Sequence, residues 1–490
     1  MALFPGPLLL PYGLYRDALM SVEEGLCLAE KTGVRLVDEM LFGAGALSSI
    51  PLNDIDGAAR FLGKMAGVLK EKNFFGAIFY HHIASLVALN RGDTLSAVEH
   101  ARTSWKMSDE CGGPFIQNIM HYGFTYTLLE AGKYRGVARR IEEVRSLSRR
   151  TKSALMEYAC LLLESLLAMK TGDEKTFLNR LGKAMKLGSA RGIRFYTLLL
   201  HSSSSMLCDR ALKEGFEPEY VKTLIRANNL AAPDPEAEGW PWRLKVHALG
   251  GFEMYRDDTK IEFSGKAQKK PLDLLKAVIA MGGRDVREEK LTDALWPDAE
   301  GDAAHRAFAT TLHRLRALLG IDGAIQLREG MVSLDGRRCR VDVREFERAL
   351  EKVDERVKKL GYSDSTENLL EKALGLYRGS FLPSESEKGW TAPMREKLRG
   401  KLLRHIRSAG ISLEEAGEFS KAVVWFQTGI EMDPLAEELY RHLMVSFTRL
   451  GQRSDAMAAY EQLKKNLFSK IGLQPSLKTR SVYKSIFPAS

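Results

Sequence analysis

The side chains best suited to recognising a chemical partner are basic and hydrogen-bonding residues between positions 266 and 328. Arginine can donate two parallel hydrogen bonds to a guanine edge, lysine suits phosphate groups, and histidine can donate to either. These residue types point to nucleic-acid recognition. The candidate residues are Lys266, Lys269, Lys270, His305, Arg306, Thr310, His313, Arg314, Arg316 and Arg328.

A helix over residues 302–320 must position most of these side chains. Its apolar residues recur every three to four positions from Ala304 to Leu319, while Asp302 and Gly320 suit the two ends of a helix. The opposite face carries basic and polar residues, and no carboxylate follows Asp302. Such a helix after a shorter one is typical of a major-groove reader. The alternative is a basic face that meets only solvent.

The elements around this helix predict a winged helix-turn-helix domain over residues 243–341. Alternating residues predict strands over 244–255 and 260–263, and helices are expected from Pro271 and over about 287–296. Two short alternating runs over 325–334 surround a Glu-Gly turn and predict a hairpin. Residues 243–342 hold 18 basic and 16 acidic residues, so the separation of the charges matters more than their sum.

Three stretches of this region, residues 266–275, 291–298 and 310–320, resemble the winged-helix domain of OmpR/PhoB type found in bacterial activators of the antibiotic-regulatory kind. The resemblance implies that the third helix enters the major groove and that the hairpin touches the minor groove or the backbone. By position, Arg306, Thr310, His313 and Arg314 would then face bases or nearby phosphates. Arg316 would face the backbone, and Arg328 would lie on the wing.

Residues 342–490 form a second predicted helical region. The segments 416–419 and 450–453 are similar and are offset by 34 residues, which is the tetratricopeptide period. The region resembles the bacterial transcriptional activator domain, which follows a winged helix of this kind. The resemblance implies that the region contacts the DNA-binding domain or mediates self-association.

Residues 1–230 are predicted to form another helical repeat array. Turn-like glycines at 92, 132 and 172 lie 40 residues apart and precede similar helical segments. The array resembles stretched tetratricopeptide repeats, which implies a protein, peptide or small-molecule effector.

Residues 57–65 are not a phosphate-binding loop, because five residues separate the glycines and Met65 replaces the expected hydroxyl residue. A linker over 231–242 holds three prolines, and its two tryptophans indicate docking onto a neighbour, with a flexible tether as the alternative.

The expected architecture is therefore mainly α, with helical repeat arrays flanking a small α+β domain. The net charge of +9 is compatible with an anionic partner. The five scattered cysteines and the proline-interrupted N-terminus predict a cytoplasmic protein without disulfides, metal or a membrane span. No catalytic constellation is apparent, so no enzyme activity and no cofactor are expected.

The sequence thus favours a DNA-binding transcriptional regulator that self-associates on repeated half-sites, with RNA polymerase as a further candidate partner. The alternative is an interaction scaffold whose winged helix binds protein instead of DNA. The chain also resembles the later part of regulators like the maltose-regulon activator, in which an ATPase domain precedes helical repeats. Such a domain would be absent or would lie upstream of this sequence.

Overall fold

A computed structural model of the chain describes residues 15–69, 73–194, 199–263, 268–299 and 301–487. The chain divides into two compact units between Pro241 and Trp242. The fold is mainly α, as predicted, and the described strands all lie in the second unit. Trp240 and Trp242 are both buried. Among the described residues, no helix is both long and apolar enough to cross a lipid bilayer.

The first unit is an array of consecutive helices, each packed on the next. Its described helices are α1 (Tyr15–Thr32), α2 (Asp38–Ser49), α3 (Ile55–Val68), α4 (Phe74–Asn90), α5 (Thr94–Cys111), α6 (Pro114–Glu130), α7 (Val137–Thr151), α8 (Ala154–Thr171), α9 (Glu174–Arg191), α10 (His201–Lys213) and α11 (Pro218–Ala227).

Equivalent turns join the central helix pairs of this unit. Gly92, Gly132 and Gly172 each follow a helix with φ between 72° and 80°, a backbone conformation that glycine adopts without strain. After two of these turns, an aspartate caps the helix that follows. Asp93 accepts from the Ser96 amide at 3.0 Å, and Asp173 accepts from the Thr176 amide at 3.1 Å. The predicted helical repeat is thereby confirmed.

The stretch that superficially resembles a phosphate-binding loop lies inside α3. The Gly57 amide donates to Asp54 Oδ1 at 2.8 Å, which caps the helix instead of leaving a loop of free amides. One histidine of this unit, His82, has a structural role. His82 is buried, and burial lowers its pKa to about 4, so its ring is neutral at pH 7. The described residues hold no group of three or more potential metal ligands.

The second unit combines short strands with helices. Its strands are β1 (Leu244–His247), β2 (Glu253–Arg256), β3 (Thr259–Lys260), β4 (Val286–Arg287), β5 (Ile325–Arg328), β6 (Met331–Leu334) and β7 (Cys339–Val341). Its helices are α12 (Lys269–Ala280), α13 (Glu288–Leu295), α14 (Gly301–Leu319), α15 (Asp342–Leu360), α16 (Asp364–Leu376), α17 (Ala392–Glu415), α18 (Phe419–Met432), α19 (Glu437–Arg449), α20 (Arg453–Ile471) and α21 (Leu477–Ile486), with 3-10 turns at Pro383–Glu385 and Gly389–Thr391.

Two small sheets frame the three helices α12, α13 and α14. The first sheet has the order β3-β2-β1-β7, in which β1 runs antiparallel to β2 and parallel to β7. The second sheet has the order β4-β6-β5 and contains the predicted hairpin. The first and last strands of the winged-helix region are therefore neighbours, with Leu244 opposite Cys339.

One hydrophobic core runs through the winged-helix region and the helices after it. It extends from Leu244 through Phe308 to Phe346 and on to Trp425. Asp342, at the start of α15, joins the two parts because its buried carboxylate accepts hydrogen bonds from the Ala248, Leu249 and Val343 amides at 2.7–3.0 Å. The domain boundary predicted at 341/342 therefore passes through a continuous core.

The C-terminal helices repeat with the predicted spacing. Helices α18 and α20 begin 34 residues apart, at Phe419 and Arg453. Each follows a glycine with positive φ, Gly417 at 80° and Gly451 at 79°. The second half of this unit is thus a tetratricopeptide-like repeat, as the sequence predicts.

Candidate nucleic-acid interface

Helix α14 presents one apolar and one basic face. Its buried residues follow the predicted helical spacing and pack into the core of the second unit: Ala304, Phe308, Thr311, Leu312, Leu315 and Leu319. The burial of this face fixes the helix, so the residues between these positions must project outward. The predicted apolar face of this helix is therefore confirmed.

Most polar side chains on the exposed face of α14 have no internal partner among the described residues. Its exposed polar residues are His305, Arg306, Thr310, His313, Arg314 and Arg316. Within the described ranges, Arg306, His313, Arg314 and Arg316 make neither side-chain hydrogen bonds nor ion pairs. Three permanent positive charges therefore lie along one helix, and their donors are available to an external acceptor.

His305 differs from its neighbours on this face. Its Nδ1 forms a hydrogen-bonded pair with Glu288 Oε1 at the start of α13. The ring therefore links α14 to α13. This arrangement leaves His305 less able to contact a nucleic acid directly than the sequence suggests, because Glu288 already occupies one of its two nitrogens.

Lys270 is likewise engaged inside the domain. Its ammonium donates to the Leu295 carbonyl at 2.7 Å and lies 5.2 Å from the centre of the Trp296 ring. It thus stabilises the carboxyl end of α13, where a positive charge is favourable. Lys269 is exposed at the start of α12, whereas Lys266 lies outside the described residues.

The wing is a tight hairpin held against helix α13. Glu329 and Gly330 form its turn with φ of 49° and 71°, as a two-residue turn of type I′ requires. Arg328, at the end of β5, is exposed beside this turn. The Glu288 amide donates to the Gly330 carbonyl at 2.9 Å, so the wing tip supplies an acceptor at the start of α13.

This contact explains how α13 begins without a small capping residue. Arg287 occupies the N-cap position with extended backbone angles and no side-chain capping hydrogen bond. It belongs instead to β4, where it lies opposite Met331 of the wing. The sequence gives little sign of β4, since a two-residue strand is too short to show alternation.

Replacing Gly330 by valine should loosen the wing, because a β-branched residue is strained by about 1–3 kcal/mol at a positive φ. Hydrogen exchange at the Glu288 amide should accelerate, as measured by nuclear magnetic resonance or mass spectrometry. Gly375→Val is the matched control, since Gly375 lies in α16 with open space around it. Equal exchange rates in the two variants would contradict this account.

Acidic residues line a groove beside α13. A groove of about 620 Å³ lies between α13, the start of α14 and the wing tip. Its lining includes Glu288, Glu289, Asp293 and Glu329. Four acidic residues of the region therefore lie beside the start of α14, where they limit the area that attracts an anion.

Comparisons with known proteins show that parts of this chain are similar to bacterial regulators. Residues 341–487 match the family of the bacterial transcriptional activator domain. Regulatory protein AfsR of Streptomyces griseus is 26% identical over 236 residues, covering 47% of this chain and 23% of that protein. Transcriptional regulatory protein MoaR1 of Mycobacterium bovis is 25% identical over 251 residues, covering 50% of this chain and 79% of that protein.

A solved structure shows a weaker likeness. The chain overlaps EmbR of Mycobacterium tuberculosis, solved in complex with a low-affinity phosphopeptide, with a TM-score of 0.40 and 20% identity. The overlap covers 51% of this chain and 66% of that one, and at this TM-score it does not establish a common arrangement of domains. The family matched by residues 341–487 is one of transcriptional regulators and not of enzymes.

Proposed function

We propose that this chain, whose residues 341–487 form a bacterial transcriptional activator domain, is a sequence-specific DNA-binding regulator that reads the major groove with α14. The observation that carries this proposal is the exposed face of α14, on which three arginines and a histidine have no internal partner among the described residues. Two homologous regulators, each aligned with about half of this chain, support a role in transcription.

The spacing of the exposed residues suits base reading. Arg306, Thr310 and His313 are four and then three positions apart, so they project from the same side of the helix. Arg314 extends this row. Arg306 and Arg314 would each donate two hydrogen bonds to a guanine, while Thr310 and His313 would contact bases or nearby phosphates.

Other basic residues would hold the backbone. Arg316 near the end of α14, Lys269 at the start of α12 and Arg328 on the wing are exposed and would pair with phosphates. Lys270 and His305 would act indirectly, by fixing α13 and α14 through Leu295 and Glu288. The set of direct contacts that we propose is therefore smaller than the set predicted from the sequence.

Self-association on DNA is part of this proposal. A single winged helix reads only a short site, whereas a genome offers very many competing sequences. Two or more copies on repeated half-sites would supply the missing specificity. A gel-shift titration that saturates with one protein per site at nanomolar affinity would overturn this part.

The salt dependence of binding gives a quantitative prediction. With four to six phosphates neutralised per module, the logarithm of the affinity should fall against the logarithm of the salt concentration with a slope of about −4 to −5. Fluorescence anisotropy with a labelled operator duplex measures this slope for the full chain. A nearly flat dependence would exclude phosphate contacts as a major source of affinity.

The remaining partners extend the same proposal. The helical repeats of the first unit would bind a protein, peptide or small-molecule effector, and the protein would contact RNA polymerase on the promoter.

A scaffold whose winged helix binds protein is the second candidate function. The resemblance to the maltose-regulon activator stays a prediction. Footprinting the full chain on genomic fragments tests the proposal, because discrete protected sites support it and uniform weak binding contradicts it.

A further inference from the structure

An apolar pocket lies in the first unit, between α2, α3 and α4. Its volume is about 180 Å³. The apolar side chains that a ligand can touch there are exposed or half-buried: Met40, Leu47, Phe75 and Phe79. Met65 and Ile83 are buried and form only the core behind these side chains. A small molecule can therefore reach the pocket from solvent, and no residue of the candidate DNA interface lines it.

Small residues and a pair of rings give the pocket its shape. Gly43 and Ala44 leave room on the face of α2 that lines it. On α4, the Phe75 and Phe79 rings lie 4.9 Å apart and are tilted by 45°, as aromatic pairs prefer. Met40 is 51% exposed, and its flexible side chain can adjust to a bound group. A cavity of roughly 150 Å³ with apolar walls holds benzene, so this pocket has room for one ring or one branched alkyl group.

Among the described residues that line the pocket, Glu39 is the only charged one. It is half-buried at the start of α2. Its Oε2 accepts a hydrogen bond from Asn73 Nδ2 at 2.5 Å, whereas its Oε1 accepts none from a described residue. Gly76 lets this carboxylate approach α4, because a side chain at that position would overlap Oε1. One carboxylate oxygen is thus held beside the apolar surface and can accept from a ligand.

We propose that this pocket binds a small molecule that carries one ring or branched alkyl group and a protonated amine. The apolar group would pack on Met40, Leu47 and Phe75, and the ammonium would donate to Glu39 Oε1. The role of this molecule as the effector of the first unit rests on the proposed regulatory function. Its binding does not.

The pocket suits a small molecule better than a peptide. A helical peptide docks through several apolar anchors spaced along a groove, whereas this volume holds one apolar group. An extended peptide needs backbone partners, but the walls belong to helices whose backbone groups bond mainly within each helix. A hydrocarbon amine needs neither a long groove nor backbone partners.

The test measures the binding of para-fluorophenethylamine to the full chain by fluorine nuclear magnetic resonance, with para-fluorophenethyl alcohol as the uncharged analogue. The amine should bind about tenfold more tightly than the alcohol, because a hydrogen bond between charged groups is stronger than a neutral one. Glu39→Gln should remove this preference, since an amide oxygen still accepts from Asn73 but carries no charge. Glu99→Gln, at an exposed position of α5, is the matched control and should keep the preference.

A second pair of variants tests the apolar wall. Phe75→Ala should weaken the binding of amine and alcohol alike by about fivefold, because both lose apolar contact. Phe74→Ala changes the adjacent ring, which does not line the pocket, and should alter neither affinity. The two rings are 49% and 58% exposed, so unchanged circular dichroism spectra would verify that both variants keep the fold.

Three results would overturn the proposal. They are the absence of saturable amine binding, equal affinities of amine and alcohol for the unaltered chain, and equal effects of Phe75→Ala and Phe74→Ala. None of these measurements contains DNA, so their failure would leave the proposed DNA binding intact. A failure of operator binding, measured without the amine, would contradict the proposed function and not the pocket.

Discussion

Replacing Arg306 and Arg314 together by alanine is expected to weaken binding to a selected operator about a hundredfold or more, since each bidentate guanine contact contributes about 1–3 kcal/mol. Neither side chain has a described partner within the chain, so the melting temperature should stay nearly constant. Anisotropy titrations on operator and on unrelated duplexes measure the loss. The loss should be larger on the operator than on the unrelated duplexes, because base contacts carry sequence information.

The matched control removes the same charge elsewhere. Arg449 and Arg453 are exposed in the activator domain, and their double alanine variant lowers the net charge of the chain by the same amount. Its operator affinity should change far less. If the two double variants lost equal affinity, the basic face of α14 would be ordinary solvated surface. If neither changed DNA binding while a protein partner was lost, the scaffold hypothesis would replace the regulator.

The second large effect is expected on stability. Asp342→Ala should lower the free energy of unfolding of the second unit by about 3 kcal/mol or more, because three buried amides lose a charged acceptor at once. Asp342 is 5% exposed, so water cannot readily replace its carboxylate. Urea unfolding followed by circular dichroism measures the change, and Asp298→Ala provides an exposed aspartate as the control.

The number of unfolding transitions also distinguishes one cooperative unit from two independent domains. Because one core spans the winged-helix region and the helices after it, Asp342→Ala should destabilise both in a single transition. Tryptophan fluorescence, to which Trp296 and Trp425 contribute, should report the same midpoint as circular dichroism. Two separated midpoints would show that the boundary at 341/342 divides independent domains after all.

Local sequence patterns were sufficient for the main elements. The apolar spacing of α14 from Ala304 to Leu319 predicts both the helix and its outward basic face, since burial of one face leaves no freedom for the other. The hairpin was equally predictable, because alternating runs flank Gly330, which readily adopts the positive φ that the turn needs. Repeated glycine turns likewise identify the helical arrays.

The internal partners could not be predicted in this way. The pairing of His305 with Glu288 and the bond from Lys270 to the Leu295 carbonyl depend on how helices pack in three dimensions. Residue type alone assigns both side chains to DNA.

The neighbouring strands β1 and β7, together with Asp342, also limit how the protein can be regulated. The chain enters the winged-helix region and leaves it along the same sheet, and this proposed DNA reader shares its interior with the helices that follow it. An effector acting elsewhere on the chain would therefore have to move reader and activator together. We expect an effector to control whether the whole second unit can reach a promoter, and not to act by bending α14.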